Sequence, residues 1–203
     1  MSAVTTALMP ATGLIGPNAI LQTIEALRAL RGDQDLERIF AAAALGHYLE
    51  DPPHAMVDER EVARLHQIIR AHYPAPVWQS IMSDAGRRTG EYVLAHRIPT
   101  PVQWLLRGLP PTPARKLLSS AIERHAWTFV GSGKYRADTG RPVRIEIRDN
   151  PVIAGERADQ PVCHWHAAVF ETLFRRLVAS DARARETNCS AAGAPACRFA
   201  IDY

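Results

Sequence analysis

Apolar residues recur every three to four positions between residues 17 and 125, the spacing that places them on one face of a helix. In the first such segment Ile20, Ile24 and Leu27 share a face, and Gly32 ends the segment. Prolines and glycines separate the segments, because neither residue continues a helix well. The pattern predicts further helices over about 35–49, 58–72, 77–96 and 114–124, with a short piece at 104–106. We therefore predict that the N-terminal half of the chain is helical.

The longest predicted helix contains two glycines, Gly86 and Gly90, four residues apart. Residues at this spacing are neighbours on one helix face. Glycine has no side chain to hold another element away. We therefore expect a second element to approach this helix closely along the face that carries the two glycines.

After Ala126 the apolar spacing changes to two, which is the period of a β-strand. A turn at Asp138, Thr139 and Gly140 can join the first two predicted strands. Between the strand pairs, residues 162–179 have an apolar face wide enough to predict a buried helix. The predicted strands are 127–135, 143–148, a segment near 185–189, and 197–203.

This order of elements predicts an α+β fold, in which an antiparallel sheet is flanked by helices and the N-terminal half is helical. The main boundary is predicted in the proline-rich stretch at 108–113. We divide the chain into a loose N-terminal tail (1–16), a helical region (17–109) and an α+β domain (110–203).

Composition and charge exclude several classes of protein. Hydrophobic residues make up 47% and charged residues 22% of the 203 residues, which fits a globular chain. The net charge is +3, but the basic residues are scattered, so we expect no nucleic-acid partner. No apolar run approaches the roughly 18 residues needed to span a bilayer, and the N-terminus lacks a secretory signal. We therefore expect a cytoplasmic protein without a transmembrane segment.

The three cysteines, Cys163, Cys189 and Cys197, are the strongest chemical signal. An odd number cannot all form disulfides, and a reducing compartment would not keep them. A hairpin with a short loop would bring Cys189 and Cys197 together, while Cys163 begins the buried helix. With Glu186 or His166 as the fourth ligand, they would form a closed structural zinc site. The alternative is three buried cysteines that bind nothing.

The stretch from Glu186 to Phe199, Glu-Thr-Asn-Cys-Ser-Ala-Ala-Gly-Ala-Pro-Ala-Cys-Arg-Phe, resembles the C-terminal signature of the 4-vinyl reductase domain family. Members of this family are small ligand-binding domains of phenol-sensing transcription activators and of photosynthetic pigment synthesis. In sensor members a Cys, a Glu and two further Cys bind zinc at similar spacings. The resemblance covers residues 114–203 most clearly and ranks Glu186 above His166 as the fourth ligand. It implies a sheet flanked by helices, related to ligand-binding folds of nitric-oxide signalling and Golgi transport.

A stand-alone chain of this size, with no attached ATPase or DNA-binding domain, resembles the family members that act in bacteriochlorophyll synthesis. That resemblance implies binding and delivery of a tetrapyrrole intermediate, a magnesium-porphyrin or chlorophyllide-type ligand, to other pigment-synthesis enzymes. Two alternatives stay open. One is a 4-vinyl reductase acting on divinyl chlorophyllide or its precursors, and the other is a ligand-sensing regulatory domain.

No nicotinamide or flavin site is visible in the sequence, so no catalytic residue is predicted and whether the chain is an enzyme stays open. Attachment to the periphery of the photosynthetic membrane and formation of a homodimer are both compatible with the sequence.

A flat ligand-binding face is predicted on the strand at 127–135. Alternation places five residues on one side of it, where two glycines would leave a floor on which a planar ring could stack against aromatic side chains. A bulge or a close helix contact would also explain the glycines. The neutral imidazole of His125 could be an axial ligand to magnesium, as could His164 or His166. The predicted ligand-binding residues are His125, Trp127, Phe129, Gly131, Gly133 and Tyr135.

Overall fold

The computed structural model describes residues 13–203, and within them helices make up most of the N-terminal part. The helices are α1 (Asn18–Arg31), α2 (Asp33–Ala42), α3 (His47–Glu50), α4 (Glu59–His72), α5 (Ala75–His96), α6 (Thr100–Gly108), α7 (Pro111–His125), α8 (Trp127–Val130) and α9 (His164–Leu177). The strands are β1 (Leu14–Ile15), β2 (Val57–Asp58), β3 (Lys134–Asp138), β4 (Val143–Arg148), β5 (Arg183–Asn188) and β6 (Cys197–Asp202). The predicted α+β class, with a helical N-terminal half and an antiparallel sheet, is confirmed.

The main sheet is antiparallel, with strand order β3-β4-β6-β5. Its second strand shows why it forms: Val143, Ile145 and Ile147 are buried, and the arginines between and after them are exposed. Such alternation places one face of the sheet on the core and the other in solvent. Helix α9 lies against this sheet and is buried along much of its length.

Helix α5 packs along α9 at the two glycines identified from the sequence. A Cβ atom built on Gly90 would lie 2.7 Å from the Cβ of Thr172, and one on Gly86 would overlap the carbonyl oxygen of Trp165. The backbones of α5 and α9 therefore approach more closely than side chains would allow. The predicted close approach at Gly86 and Gly90 is confirmed.

The predicted strand over residues 127–135 is wrong. Helix α7 ends at His125, Ala126 keeps helical dihedral angles, and its carbonyl accepts hydrogen bonds from the amides of Phe129 (3.0 Å) and Val130 (2.8 Å). The chain then turns at Gly131, whose φ is 58°, and extended structure begins only at Lys134. A short apolar run is compatible with a helix as well as a strand, and here the preceding helix determines its conformation.

Smaller differences concern other element ends. The helix predicted over 35–49 is divided into α2 and α3, because Ala44 adopts a positive φ of 54°. Residues 14–15 of the predicted tail form β1, which pairs with β2, and the side chain of Ile15 is fully buried. Residues 1–12 of that tail lie outside the described residues. Within residues 13–203, no helix combines the length and apolar character needed to cross a membrane.

Candidate metal centre and ligand site

Four potential metal ligands converge where α9, β5 and β6 meet. Cys163 is the N-cap residue of α9, Glu186 lies in β5, Cys189 follows that strand, and Cys197 is the first residue of β6. One ligand atom from each residue lies within 4.8 Å of the other three. The structure therefore brings together the four residues that the sequence predicts, and all three thiols are buried.

The distances between the sulfur atoms fit a tetrahedral zinc site. The Sγ atom of Cys163 is 3.6 Å from that of Cys197 and 4.0 Å from that of Cys189. Zinc–sulfur bonds of about 2.3 Å at tetrahedral angles separate two sulfur atoms by about 3.8 Å. The three sulfur atoms could thus bind one ion without a change in the backbone.

Glu186 presents one free oxygen atom to this cluster. Its Oε2 atom accepts a hydrogen bond from the backbone amide of Cys163 at 2.7 Å, which fixes the carboxylate. Its Oε1 atom is buried and has no hydrogen-bond partner among the described residues. A buried carboxylate oxygen without a partner is costly. A metal ion beside the three sulfur atoms would remove that cost.

Asn150 supports the cluster and was not identified from the sequence. Its Nδ2 atom lies 3.5 Å from the Sγ atom of Cys163 and 3.7 Å from that of Cys197, and can donate to both. Its Oδ1 atom accepts from the amide of Val152, which orients the donor toward the sulfur atoms. The Ser190 hydroxyl lies 3.3 Å from the Cys197 sulfur. Groups that hydrogen-bond to ligand atoms orient them and tune metal affinity.

The electrostatics of the cluster favour a bound cation. Hydrogen bonds from the thiols of Cys163 and Cys189 lower the pKa of Cys197. The contacts of Cys163 with Cys189 and Cys197, together with burial, raise the pKa of Cys163. Burial raises the pKa of Glu186 to about 7, although the Cys163 amide opposes the shift. Without a cation the cluster therefore retains protons. A divalent metal ion would replace those protons and stabilise the thiolates.

His166, the alternative fourth ligand, lies outside this set of four. Its Nε2 atom is 3.1 Å from the carbonyl oxygen of Phe129, so the ring nitrogen is already paired. Burial lowers the pKa of His166 to about 4, which keeps the imidazole neutral in the core. Of the two candidate ligands, the structure places Glu186 beside the sulfur atoms.

The predicted flat floor at the two glycines does not form, because neighbouring residues fill the space. Gly131 packs against the carboxylate of Glu59, which accepts hydrogen bonds from the backbone amide and hydroxyl of Ser132 at 2.7 and 2.6 Å. A Cβ atom on Gly133 would lie 2.8 Å from a methyl group of Val130. The glycines therefore serve close packing, which was the alternative explanation.

The other predicted ligand residues separate into an inner and an outer pair. The rings of Phe129 and Tyr135 meet edge to face with centroids 6.0 Å apart. Both contact Phe170, which in turn packs on Phe199 at 5.3 Å. We call these four residues the aromatic cluster. His125 and Trp127 are exposed, and 56% of the surface of Trp127 is open to solvent.

The hydroxyl group of Tyr135 is the unusual feature of the aromatic cluster. Its oxygen is buried, yet it has no hydrogen-bond partner among residues 13–203. Burial raises the pKa of the Tyr135 phenol, so the group stays a neutral donor. Buried hydroxyls normally have a partner, and one without a partner costs about 1–3 kcal/mol. This atom could therefore hydrogen-bond to a ligand that enters the cluster.

A groove between α5 and α9 is less suited to an apolar ligand. Its volume is about 630 Å³, and its walls include Ser80, Asp84, Arg87, Glu171 and Arg175. Ligand pockets for flat apolar rings are lined mainly by hydrophobic and aromatic side chains. The groove does not include any residue of the aromatic cluster.

Comparison with known proteins supports the sequence resemblance. The family model of the V4R domain matches residues 143–202, which contain all four residues of the cysteine and glutamate cluster. The chain is 48% identical to the bacteriochlorophyll synthase 23 kDa chain of Cereibacter sphaeroides over 187 residues, covering 92% of this chain and 89% of the relative. It is 38% identical to the protein of that name from Rhodobacter capsulatus, covering 92% of this chain and 86% of the relative.

Among solved structures, an H-NOX protein from a study of heme distortion superposes with a TM-score of 0.56, covering 93% of this chain and 95% of that one. At 12% identity this likeness shows a common fold and nothing more. The family assignment depends on the relatives that are 48% and 38% identical. The chain belongs to the V4R domain family, within the group that includes the bacteriochlorophyll synthase 23 kDa chains.

Proposed function

We propose that this chain binds a tetrapyrrole of the magnesium-porphyrin or chlorophyllide type and delivers it to other enzymes of bacteriochlorophyll synthesis. The observation that supports the pathway is the 48% identity, over 92% of the chain, to a relative named as a chain of bacteriochlorophyll synthase. Because that name refers to pigment synthesis, the pigments of the pathway are the proposed ligands.

The proposed site is the aromatic cluster, to which α8 contributes Phe129. The pigment ring would pack on Phe129 and Phe170, since aromatic faces and edges bind planar apolar rings well. The unpartnered Tyr135 hydroxyl supports this placement, because it could donate a hydrogen bond to an oxygen atom on the rim of the pigment. Helix α8 has only four residues and would have to shift to admit the ring.

His125 and Trp127 would form the outer edge of the site. His125 ends α7 and Trp127 begins α8. Both side chains are exposed, at positions where the pigment could be passed to another protein. A neutral imidazole can be an axial ligand to magnesium, and an indole ring can stack on a tetrapyrrole. This arrangement would leave part of the bound pigment accessible, as delivery requires.

We further propose that Cys163, Glu186, Cys189 and Cys197 hold a structural zinc ion. Four protein ligands close a tetrahedral site, which is typical of structural rather than catalytic zinc. The bound ion would join α9 to the β5–β6 hairpin. Because the unfolded chain has no preformed site, binding would add several kcal/mol to stability.

The test is titration of the purified protein with magnesium protoporphyrin IX, followed by absorption and by tryptophan fluorescence. Tyr135→Phe removes only the buried hydroxyl, so it should weaken binding about fivefold. The free energy of unfolding should stay unchanged or rise, because the substitution removes an unpartnered polar group. A purely structural role for the hydroxyl would instead lower stability. Tyr92→Phe, at a half-buried tyrosine of α5 outside the aromatic cluster, is the matched control and should change neither quantity.

If Tyr135→Phe and Phe129→Ala both bind magnesium protoporphyrin IX with unchanged affinity, the pigment binds elsewhere. If the native protein does not bind it at all, the proposed function is contradicted. Fluorescence quenching that is lost in Trp127→Phe would locate the pigment beside α8. Incubation with divinyl chlorophyllide and NADPH separates carrier from enzyme. Formation of monovinyl product by this chain alone would favour the 4-vinyl reductase alternative.

A further inference from the structure

Exposed apolar side chains are concentrated in one segment of the protein. Seven large apolar residues are exposed among residues 13–203, and five of them lie between Val102 and Trp127. Trp127 belongs to the edge of the proposed pigment site, and the other four lie on α6 and α7, which are consecutive and in contact. We call these four the α6–α7 surface: Val102, Trp104, Leu105 and Leu117.

The outward position of Trp104 and Leu105 is fixed by the opposite side of α6. The Gln103 side chain donates hydrogen bonds to the carbonyl oxygens of Leu94 and Ile98 at 2.6 and 2.8 Å, at the end of α5. Leu106 is buried, and the guanidinium of Arg107 donates to the carbonyl of Arg176 at 3.1 Å. These contacts set the rotation of α6, so Trp104 remains 68% exposed and Leu105 55% exposed.

The charges in the segment that carries this surface are almost all positive. Residues 97–136 contain a single acidic residue, Glu123, and seven basic ones. Most other basic residues of the described chain form ion pairs, whereas six of these seven have no carboxylate within ion-pair distance in residues 13–203. The six are Arg97, Arg107, Arg115, Lys116, Arg124 and Arg136.

We infer that the α6–α7 surface docks on an anionic lipid membrane. Exposed tryptophan and leucine side chains would enter the interfacial region of the lipid, where tryptophan is favoured. Unpaired cations nearby would meet the lipid phosphates, each contributing attraction to an anionic surface. On α7 the exposed Leu117 is next to Lys116. The core of a protein–protein interface is depleted of charged residues, so this combination suits a lipid surface better than a protein partner. This inference does not depend on which ligand the protein binds.

The experiment measures co-flotation of the full chain with vesicles of phosphatidylcholine alone and of phosphatidylcholine with about 30% phosphatidylglycerol. We expect binding to the anionic vesicles only, weakened as salt screens the charges. Trp104→Ser with Leu105→Ser should lower the partition coefficient at least about tenfold. Lys116→Gln with Arg124→Gln should lower it about thirtyfold, since each basic residue near the surface contributes.

The matched controls are Leu30→Ser, an exposed leucine of α1, and Arg157→Gln, an exposed arginine without an ion pair in the described chain. Both should bind vesicles as the native protein does, and thermal melts should show that all variants fold. Absence of binding to anionic vesicles at low salt would overturn the inference. The inference would also be overturned if the native protein is a dimer, and if Trp104→Ser with Leu105→Ser abolishes the dimer but leaves vesicle binding unchanged. The surface would then contact a second copy of the chain.

Discussion

Substitution of Gly86 by alanine tests the packing that positions α9. In an exposed helix this change normally stabilises, because alanine is favoured over glycine by about 1 kcal/mol. Here the added Cβ atom would lie 2.8 Å from the Cβ of Ala168 and even closer to the carbonyl oxygen of Trp165. Carbon atoms in contact prefer about 3.5–4.0 Å. The two helices would therefore have to separate by about 1 Å.

The steric cost outweighs the helix preference. Overpacking of a tight interface costs about 1–3 kcal/mol, and contact with a backbone carbonyl, which cannot rotate away, favours the upper end. After the gain of about 1 kcal/mol from alanine, we expect a net loss of about 2 kcal/mol. For a chain of this length that lowers the melting temperature by about 4–8 °C. Trp165 is close in sequence to Cys163, so the same shift should also disturb the metal cluster.

Urea denaturation and thermal melting measure this loss. Gly108→Ala is the matched control, since it also lies in a helix but a Cβ atom there would have no neighbour within 4 Å. It should leave stability unchanged or raise it by up to about 1 kcal/mol. If Gly86→Ala is as stable as the native protein, α5 and α9 do not pack as closely as described.

Three further predictions concern the core and the metal cluster. Cys189→Ser should reduce bound zinc and lower the melting temperature, and elemental analysis that finds no zinc in untagged native protein would contradict the site. Asn150→Ala should retain zinc but weaken its affinity about 10–100-fold in a chelator competition, whereas Asn188→Ala, exposed in β5, should not. Burial lowers the pKa of His166 from 6.5 to about 4, so the unfolded chain takes up a proton first as the pH falls. The free energy of unfolding should therefore decrease as the pH falls from 6.5 to 4. The decrease should be smaller in His166→Phe, and an equal decrease in that variant would contradict this account.

The cysteine cluster could be predicted because its chemistry restricts the possibilities. Three thiols, two of them at the ends of a short hairpin loop, can be brought together in few ways, and a shared metal ion is one of them. The choice between Glu186 and His166 depended on the family resemblance, and spacing alone left it open. The glycines of α5 were predictable for a similar reason, since two glycines in a buried helix are costly unless another backbone approaches.

The strand assigned to residues 127–135 shows the limit of periodicity. Five apolar or small residues in a row fit a strand and a helix equally well. The residues that end helices predict the structure better here. Between Ala114 and Val130 there is no glycine or proline, and the first residue able to end the helix is Gly131. The helical conformation accordingly continues through Ala126 into α8, and Gly131 then takes a positive φ.

Two atoms with chemical consequences could not be found from the sequence, because their properties depend on distant segments. The Asn150 amide matters only because α9 and β6 bring two sulfur atoms to it. The Tyr135 hydroxyl matters only because no described residue forms a hydrogen bond with it. The metal cluster and the proposed ligand site share two elements, α9 and β6. Cys163 and Phe170 are carried by the α9 segment, and Cys197 and Phe199 by β6.

A metal ion that joins α9 to β6 would therefore also fix two walls of the aromatic cluster. The rings of Phe170 and Phe199 are in contact, with centroids 5.3 Å apart, so a small shift between helix and strand would change the room for a ligand at the proposed site. A purely structural ion can in this way determine ligand affinity without touching the ligand. Loss of zinc in Cys189→Ser is accordingly expected to reduce binding of magnesium protoporphyrin IX, even where the protein remains folded.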